Sequence, residues 1–312
     1  MTDSPMRVAF AGLAHSHPYT DAGNVAALGG EVVGVFDADA ATAAEFSRRF
    51  GGTAVASLDD LRRLEPDMVI ATPRPHDVVP YLRALGRADA PVFVNKVIAA
   101  TIGRLDDVDR AIEASSVPVG TSSVLRFAPS LARLAAEVAG QEVLGVRVRA
   151  QHDNTAFQLP YRAWQDDPQL GGGTLVTVGV HAWEMIDVVL PGAVLAEETG
   201  WVRRRSGSTT RSEDAGGIEG MLRLDVSRSV PVQVLVTGVR GADGYAVDVV
   251  TAAGIRSVEL AVEDANESLG FRGLIRSLLD ETSEGRTVAP WTQARTVVAN
   301  TIRAAEIARA AS

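Results

Sequence analysis

The sequence contains no cysteine. That absence excludes disulfide bonds, thiolate nucleophiles, iron–sulfur clusters and zinc–thiolate sites. No apolar run approaches the roughly 18 residues that a membrane-spanning helix needs. The first ten residues, MTDSPMRVAF, lack the basic segment and the long apolar segment of a secretory signal. We therefore expect a soluble, cytoplasmic, globular protein without a membrane partner.

Positive charge is also scarce, and lysine is nearly absent. Thirty Lys and Arg residues face 39 Asp and Glu residues, for a net charge of −9. This balance opposes binding to a nucleic-acid backbone, so we expect no nucleic-acid partner. The single lysine is Lys96. Burial can tune a lysine toward neutrality but not an arginine. Lys96 is therefore either a group with a chemical role or the chance survivor of compositional drift.

The length of 312 residues predicts two domains or one large α/β barrel. The first third of the chain alternates short apolar strands with helical patterns, and the predicted strands lie at 7–11, 31–36, 67–71, 92–95 and 117–120. Repeated strand–helix units with short connections are typical of a parallel, doubly wound sheet. Lys96 follows the fourth of these strands.

The pattern changes from about residue 123. A helix predicted over 129–139 precedes a long strand at 143–153, and a polar loop then leads to the glycine run 171–173, which opens a predicted helix reaching Val189. Period-two alternation follows at 218–226, 230–238, 245–251 and 256–262, and two helices end the chain. Consecutive alternating strands indicate an antiparallel sheet with one covered face.

The turn after the first strand reads Gly12-Leu13-Ala14-His15-Ser16-His17. A dinucleotide-binding turn has the pattern G-x-G-x-x-G, which brings backbone close to a pyrophosphate at a helix N-terminus. Only the first glycine is present here. Asp37 ends the second strand, where a carboxylate binds the adenosine ribose diol and repels a 2′-phosphate. The alternative for Asp37 is a helix cap, for which Asp39 is the better candidate.

Further along the chain, the Gly12 turn and Asp37 are followed in order by Thr72-Pro73 with His76, Asn95-Lys96, Arg126 and the run from Gly171 to His181. Over essentially the whole chain this order resembles the Gfo/Idh/MocA oxidoreductases, which include glucose–fructose oxidoreductase and inositol dehydrogenase. The resemblance implies a fold of the α/β class. An N-terminal Rossmann domain, residues 1–122, would bind NAD, with NAD preferred over NADP. A C-terminal α/β domain, residues 123–312, would have an open, mainly antiparallel sheet, and its last helix can pack back on the Rossmann domain.

Two motifs depart from the family pattern. The E-K-P element of the family corresponds to Asn95-Lys96-Val97, which keeps only the lysine. The element G-G-G-x-x-x-D-x-x-x-H corresponds to the run from Gly171 to His181, with Thr177 in place of the aspartate. The chain therefore keeps the lysine and the histidine and loses the carboxylate between them.

The resemblance assigns site residues position by position. The expected NAD-binding residues are Gly12, Ala14, His15, Asp37, Thr72, Pro73, His76, Asn95 and Lys96. The expected substrate-binding residues are Arg126, His152, Tyr161, Trp164, Thr177 and His181. Lys96 and His181 are the expected catalytic pair: His181 titrates near neutrality and can take the proton of a carbinol as hydride leaves, while Lys96 polarises the oxygen. No metal site is expected, because the H-E-x-x-H pattern is absent.

The function implied is hydride transfer between NAD and a hydroxyl or carbonyl carbon of a sugar or cyclitol-like substrate, in a homo-oligomer of two or four subunits. Two alternatives stay open. One is an NAD-retaining lyase, epimerase or glycosidase that oxidises a sugar carbon transiently. The other is a non-catalytic dinucleotide-binding sensor or scaffold. For individual residues, His181 can instead be a hydrogen-bonded core histidine, and Arg126 can be a surface ion pair.

Overall fold

A computed structural model describes residues 4–87 and 89–311 of the chain. The chain divides into two compact units. The first contains the chain up to Ile98, then Gly103–Ser122 and Phe271–Ala294, and the second contains Ala99–Ile102, Ser123–Gly270 and the chain from Arg295 onward. The units are therefore not the two continuous stretches expected from the sequence, because Phe271–Ala294 belongs with the N-terminal unit.

The first unit is built on a parallel sheet. Within the described ranges its strands are β1 Arg7–Ala11, β2 Glu31–Phe36, β3 Thr53–Ala54, β4 Met68–Ala71, β5 Val92–Asn95 and β6 Val119–Ser122. They pair in the order β3-β2-β1-β4-β5-β6, and all pairings are parallel. This is the Rossmann order. The predicted doubly wound parallel sheet is confirmed, although β6 lies about two residues later than predicted and β3 was missed.

Helices connect these strands. They are α1 His17–Ala27, α2 Ala40–Phe50, α3 Leu58–Arg62, α4 Val78–Leu85 and α5 Ile102–Glu113, with a short 3₁₀ helix at Pro75–Asp77. The residues of β4 and β5 are all buried, as expected for central parallel strands covered by helices. Side chains fix two helix starts: Asp39 accepts a hydrogen bond from the Ala41 N–H, and Ser57 accepts one from the Asp60 N–H.

The second unit contains a mixed sheet. Its strands are β7 Val143–Gln151, β8 Val194–Arg203, β9 Ala215–Arg223, β10 Ser229–Thr237, β11 Gly244–Thr251 and β12 Gly254–Glu259. In the described residues their order is β12-β11-β7-β10-β9-β8, with β7 and β10 parallel and the other neighbours antiparallel. The prediction of a mainly antiparallel sheet is confirmed.

Helices cover one face of this sheet. They are α6 Pro129–Val138, α7 Ala163–Asp166, α8 Gly173–Thr177, α9 Gly179–Val189 and α10 Ala265–Ser268, with 3₁₀ helices at Val124–Phe127, Asn154–Gln158 and Pro160–Arg162. Helix α9 packs on β7, β10 and β11 and is buried along nearly its whole length. Burial alternates along β10, which leaves the other face of the sheet exposed. The single helix predicted from Gly171 to Val189 is wrong, because Val178 separates α8 from α9.

Two helices end the chain, α11 Phe271–Thr282 and α12 Trp291–Ala310. Helix α11 packs against α1 in the first unit, whereas most of α12 belongs to the second unit. Among the described helices, none is both long enough and apolar enough to cross a membrane.

The segment between α11 and α12 is tied to the edge of the parallel sheet. The Thr121 N–H donates to the Ala289 carbonyl at 3.1 Å, and Gly120 pairs with Pro290. A Cβ atom added at Gly120 would lie 2.1 Å from the Val288 carbonyl oxygen. The close approach of the two backbones therefore requires glycine at position 120.

We expect Gly120→Ala to destabilise the first unit, because the methyl group would displace backbone. Overpacking of this kind costs about 1–3 kcal/mol or more, and a thermal melt followed by circular dichroism would measure it. Gly103→Ala is the matched control, since a Cβ atom at that helical position meets nothing within 4 Å. This control should be neutral or stabilising by about 0.5–1 kcal/mol. Equal melting temperatures for Gly120→Ala and the parent protein would contradict the pairing.

Candidate active site

The turn after β1 is built for close backbone approach. Gly12 has a φ of +80°, and an added Cβ atom would lie 3.0 Å from the Thr72 carbonyl oxygen and 3.1 Å from the Pro73 nitrogen. The Gly12 N–H donates to the Phe36 carbonyl at 2.7 Å, and the Ala14 N–H donates to the Thr72 carbonyl at 3.1 Å. The turn is therefore fixed to the ends of β2 and β4, and only glycine fits at its first position.

Asp37 lies beside this turn at the end of β2. Its Oδ2 accepts a hydrogen bond from the Leu13 N–H at 2.7 Å, and its Oδ1 accepts one from the Asp39 N–H at 2.8 Å. A carboxylate oxygen has more than one acceptor position, so both oxygens can also accept hydroxyl groups. Asp39, not Asp37, caps α2.

These features fit a bound dinucleotide. The Gly12 turn leads into the N-terminus of α1, where the positive end of the helix dipole favours a pyrophosphate. The first backbone groups of this helix are used within the protein, because His17 donates to His15, Pro18 has no N–H and Tyr19 donates to the Ser16 carbonyl. The fixed carboxylate of Asp37 lies where a ribose diol would be held. The first unit thus offers both halves of a dinucleotide-binding edge.

His15 connects the turn to the segment that carries Lys96. The His17 N–H donates to His15 Nδ1 at 3.3 Å, so the proton of this ring is on Nε2, which lies 3.3 Å from the Lys96 carbonyl oxygen. Lys96 itself is half-buried directly after β5, and the peptide bond that follows it is cis. The predicted cofactor turn and the only lysine are therefore joined by one imidazole ring.

Asn95 is buried beneath this segment. Its Nδ2 donates to Thr72 Oγ1 at 2.9 Å and to Asp21 Oδ2 at 3.2 Å. Asp21 is fully buried, and burial raises the pKa of its carboxyl to about 7, against the lowering effect of the Asn95 hydrogen bond. The amide nitrogen of Asn95 is thus used inside the protein. Asn95 directly precedes Lys96, so its hydrogen bond to Asp21 places a carboxyl with a pKa near neutrality next to the Lys96 segment.

The sequence prediction missed Asp21, although a signal was present. The buried positions of α1 include Pro18, Asp21, Ala22 and Val25, which have the spacing of one helix face. A carboxyl on an apolar helix face needs a partner or a proton.

His76 lies in the 3₁₀ helix after β4, where its Nε2 is 3.5 Å from Asp77 Oδ2, and its Nδ1 is buried without a hydrogen-bond partner among the described residues.

His181 lies on α9 in the second unit and is buried. Its Nδ1 is 2.6 Å from the Ser123 hydroxyl, and its ring packs against Tyr245 with a centroid distance of 5.2 Å. The Ser123 N–H donates to Glu184 Oε2 at 3.0 Å. Burial raises the pKa of Tyr245, so its phenol is neutral. Two neutral groups, the Ser123 hydroxyl and the Tyr245 phenol ring, thus contact His181. Ser123 was not predicted from the sequence.

Arg126 forms a buried ion pair with Glu184 and Asp187. Burial raises the pKa of Glu184, and the Arg126 guanidinium opposes that rise. For Arg126, burial lowers the pKa and the two carboxylates raise it, with a net shift upward. This is the ion-pair alternative for Arg126, with the difference that the pair is buried rather than at the surface.

Thr177 ends α8. Its hydroxyl donates to the Gly171 carbonyl at 3.1 Å, and this bond connects the end of α8 to the first glycine of the run 171–173. Within that run, Gly172 has a φ of +90° and its Cβ position is filled by the Val176 side chain. Thr177 thus holds the loop that precedes α8.

The other predicted substrate residues lie in separate elements of the second unit. His152 follows β7, and its Nδ1 is 2.7 Å from Asp243 Oδ1. Tyr161 is strongly exposed in the 3₁₀ helix Pro160–Arg162. Trp164 lies in α7, and its indole N–H is buried with no hydrogen-bond partner in the described part of the chain.

The second unit also contains a polar cavity of about 280 Å³. Its lining includes Asn154, Thr174 and Ser212, which are buried, and Arg205 and Arg240, which are exposed. Asn154 Nδ2 donates to Thr174 Oγ1 at 2.8 Å, while its Oδ1 is buried without a partner among the described residues. The unpaired acceptor suits a hydroxylated ligand. The sequence prediction included His152 at the end of this strand but not Asn154.

No group of three or more His, Asp and Glu side chains within the described ranges is arranged to hold a metal ion.

Residues 6–122 match the family model GFO_IDH_MocA, described as an oxidoreductase family with an NAD-binding Rossmann fold. This part of the chain is similar to that family. The match confirms the resemblance stated from the sequence over residues 6–122, and its description agrees with NAD as the expected cofactor. No curated protein sequence matches the chain.

Solved structures with the same fold cover both units. GenD2 from gentamicin A biosynthesis, in complex with NAD, has a TM-score of 0.82 and 19% identity over 99% of this chain and 95% of that one. An inositol dehydrogenase homologue from Azotobacter vinelandii, with NAD⁺, has a TM-score of 0.78 and 16% identity over 99% and 96%. The WlbA dehydrogenase from Bordetella pertussis, with NADH and UDP-GlcNAcA, has a TM-score of 0.82 and 13% identity over 100% and 98%. At sequence identities this low, the structural similarity establishes a shared fold alone.

Asp21 makes the stability of the first unit depend on pH. Its folded pKa of about 7 lies above the ordinary value of 3.8. The stabilisation from the protonated carboxyl is therefore complete below about pH 4 and is lost as the pH rises through 7. We expect Asp21→Asn, which needs no proton, to be more stable than the parent at pH 8, by up to roughly 4 kcal/mol. The difference should shrink toward pH 5.

Urea denaturation at pH 5, 6.5 and 8 would measure this difference. Asp39→Asn is the control of opposite sign, because hydrogen bonds from Thr42 and Ala41 lower the pKa of Asp39. Its carboxylate contributes stability at pH 8 that is lost on acidification. A constant difference between Asp21→Asn and the parent across the pH range would show that Asp21 does not titrate.

Proposed function

We propose that the protein is an NAD-dependent oxidoreductase that transfers hydride between NAD and a hydroxyl or carbonyl carbon of a sugar or cyclitol-like substrate. The observation that carries the proposal is the connection between the dinucleotide edge and the only lysine, through the His15 imidazole. Bound NAD would supply the hydride acceptor, because protein side chains cannot accept hydride themselves. The chain's own residues bind the cofactor, orient the substrate and handle the proton.

In this proposal the first unit holds the cofactor. The Gly12 turn and Ala14 approach the pyrophosphate, and Asp37 accepts the ribose hydroxyls. Thr72 and Asn95 act from beneath, because their hydrogen bonds fix the turn and the end of β5. Pro73, and His76 with its unpaired ring nitrogen, complete the cofactor set.

Lys96 is proposed to act on the reacting oxygen. It follows a strand at the carboxyl end of the parallel sheet, which is where ligands bind in this architecture. Its ammonium stabilises an alkoxide as hydride leaves, and a lysine, unlike an arginine, can give up its proton.

His181 is proposed as the second polar group for the substrate oxygen, with Thr177, His152, Tyr161 and Trp164 as substrate-binding residues of the second unit. For Arg126 we infer a supporting role instead, because its nitrogen atoms are used by Glu184 and Asp187. The substrate class is inferred from these polar side chains, which suit a hydroxylated ring. The polar cavity beside Asn154 is a separate feature, because none of these side chains lines it in the described part of the chain.

A homo-oligomer of two or four subunits is part of the proposal. The open face of the second sheet exposes large apolar side chains in two places: Val250 lies opposite Ile255, and Leu235 and Trp201 lie on either side of Gly217. Exposed apolar patches of this kind occur at protein interfaces.

The role of Asp37 predicts the cofactor preference. Because a carboxylate repels a 2′-phosphate, we expect NAD(H) to bind at least tenfold more tightly than NADP(H), or about 1.4 kcal/mol. Asp37→Asn should shrink this ratio, and Asp39→Asn, its neighbour on the same loop, should leave the ratio unchanged. Titration by tryptophan fluorescence measures all of these affinities. Equal affinities in the parent protein would remove Asp37 from the ribose site.

The role of Lys96 predicts a loss of turnover without a loss of cofactor binding. We expect Lys96→Arg to reduce turnover by on the order of 10²–10⁴, because a guanidinium is bulkier and does not release its proton. NAD affinity should change far less, since Gly12 and Asp37 hold the other end of the cofactor. The assay follows NADH formation from aldoses, cyclitols and glycosides. Arg104→Lys on α5 serves as the surface control.

The same assay separates the alternative functions. Product formation without net NADH would indicate an NAD-retaining lyase, epimerase or glycosidase. Parental turnover in Lys96→Arg would contradict the catalytic role of Lys96. Tight NAD binding with no turnover on any of these substrates would favour a sensor.

A further inference from the structure

Ser123 is fully buried where the second unit resumes after β6. Three hydrogen bonds fix it. Its N–H donates to Glu184 Oε2 at 3.0 Å, its Oγ accepts the Leu125 N–H at 3.1 Å, and its Oγ lies 2.6 Å from His181 Nδ1. The contact with His181 is therefore made by a serine that has no freedom to move away.

Counting donors and acceptors assigns the proton in that contact. A serine hydroxyl has one proton to donate and two positions at which it accepts. The Leu125 N–H occupies one accepting position. In the part of the chain that the structure describes, the hydroxyl proton of Ser123 has one acceptor within reach, His181 Nδ1. If Nδ1 carried the ring proton instead, a buried hydroxyl proton would have no acceptor, which is unfavourable.

We propose that Ser123 donates its proton to His181 Nδ1 and so holds the neutral imidazole in the tautomer that carries its proton on Nε2. Ser123 is then a positioning residue, and His181 offers a hydrogen-bond donor at its second ring nitrogen. The meaning of this tautomer for catalysis rests on the proposed function, whereas the tautomer itself does not.

The charged groups around His181 are compatible with a neutral ring. On α9, Glu184 and Asp187 are compensated by Arg126 from the adjacent 3₁₀ helix. On β11, Tyr245 contacts the ring and is kept neutral by burial. The family pattern has an aspartate four residues before the histidine, and such a carboxylate would stabilise an imidazolium. This chain has Thr177 at that position, and the Thr177 hydroxyl donates to the Gly171 carbonyl.

The tautomer changes the role expected for His181. A neutral imidazole with its proton on Nε2 can hold and polarise a carbonyl or alkoxide oxygen. It has no lone pair on Nε2 with which to accept the proton of a substrate hydroxyl. His181 is therefore an oxygen-binding donor rather than the general base, and the proton exchange falls to Lys96 among the proposed catalytic residues.

Nitrogen NMR of the full-length protein, labelled with ¹⁵N-histidine, tests the tautomer directly. The chain has only five histidines, and His181→Gln assigns the signal of interest by its loss. At neutral pH we expect Nδ1 of His181 to show the shift of an unprotonated nitrogen and Nε2 the shift of a protonated one. The opposite assignment would overturn the proposal.

Ser123→Ala tests the cause. We expect its His181 signals to lose the pure Nε2–H pattern, its turnover to fall by on the order of 10-fold, its pH–rate profile to shift, and its NAD affinity to stay unchanged. Ser123→Thr, which keeps the hydroxyl, should retain the parental His181 signals. An unchanged tautomer in Ser123→Ala would show that Ser123 does not set it.

Two serine controls isolate the contact. Ser122→Ala removes the neighbouring buried hydroxyl, which has no hydrogen-bond partner among the described residues. Ser57→Ala removes a serine helix cap elsewhere in the chain, as Ser123→Ala also does at Leu125. Neither control should alter the His181 signals, and an equal change in either one would contradict a specific contact.

The outcomes also separate this inference from the proposed function. The expected NMR result together with an absence of turnover on every substrate would support the Ser123 contact and contradict the oxidoreductase. Normal turnover together with a protonated Nδ1 would support the oxidoreductase function and contradict the proposed Ser123–His181 contact.

Discussion

Thr72 hydrogen-bonds through each of its polar groups, and the cofactor end of the first unit depends on these bonds. Its N–H donates to the Ala11 carbonyl, its carbonyl accepts the Ala14 N–H, and its hydroxyl accepts the amide of Asn95. One fully buried residue therefore connects β1, the dinucleotide turn and the end of β5. The absence of the second and third glycines of the usual turn is tolerable because the turn is held by these bonds rather than by its own conformational freedom.

Each unit also contains a buried carboxyl beneath its proposed catalytic residue, and the two are neutralised in different ways. Glu184 is paired with Arg126, and the opposite charge offsets part of the desolvation cost of a buried carboxylate. Asp21 has no cation among its hydrogen-bond partners in the described residues, and burial raises its pKa to about 7. The carboxyl near His181 is thus paired with a guanidinium, whereas the carboxyl near Lys96 has no such partner and a pKa of about 7.

The sequence predicted what depends on local pattern. The parallel sheet and the mainly antiparallel sheet were found from periodicity. The site residues proposed in the first unit were selected because they follow strands. What it missed depends on contacts between distant residues. Ser123 is 58 positions from His181, and the return of Phe271–Ala294 to the first unit depends on backbone pairing at Gly120. The break at Val178 lies directly before Gly179, a signal that the sequence prediction did not use.

The departures from the family pattern form a consistent set when protons are followed. Asn95 cannot titrate, so the ionisable group under the Lys96 segment is Asp21 on α1. Thr177 cannot stabilise an imidazolium, and the neutral hydroxyl of Ser123 is the partner of His181 Nδ1. Both losses of a carboxylate therefore remove proton exchange from the motif positions. Asp21, with a pKa of about 7, and the proposed acid–base group Lys96 both belong to the first unit, while the proposed Ser123–His181 contact places hydrogen-bond donors in the second unit.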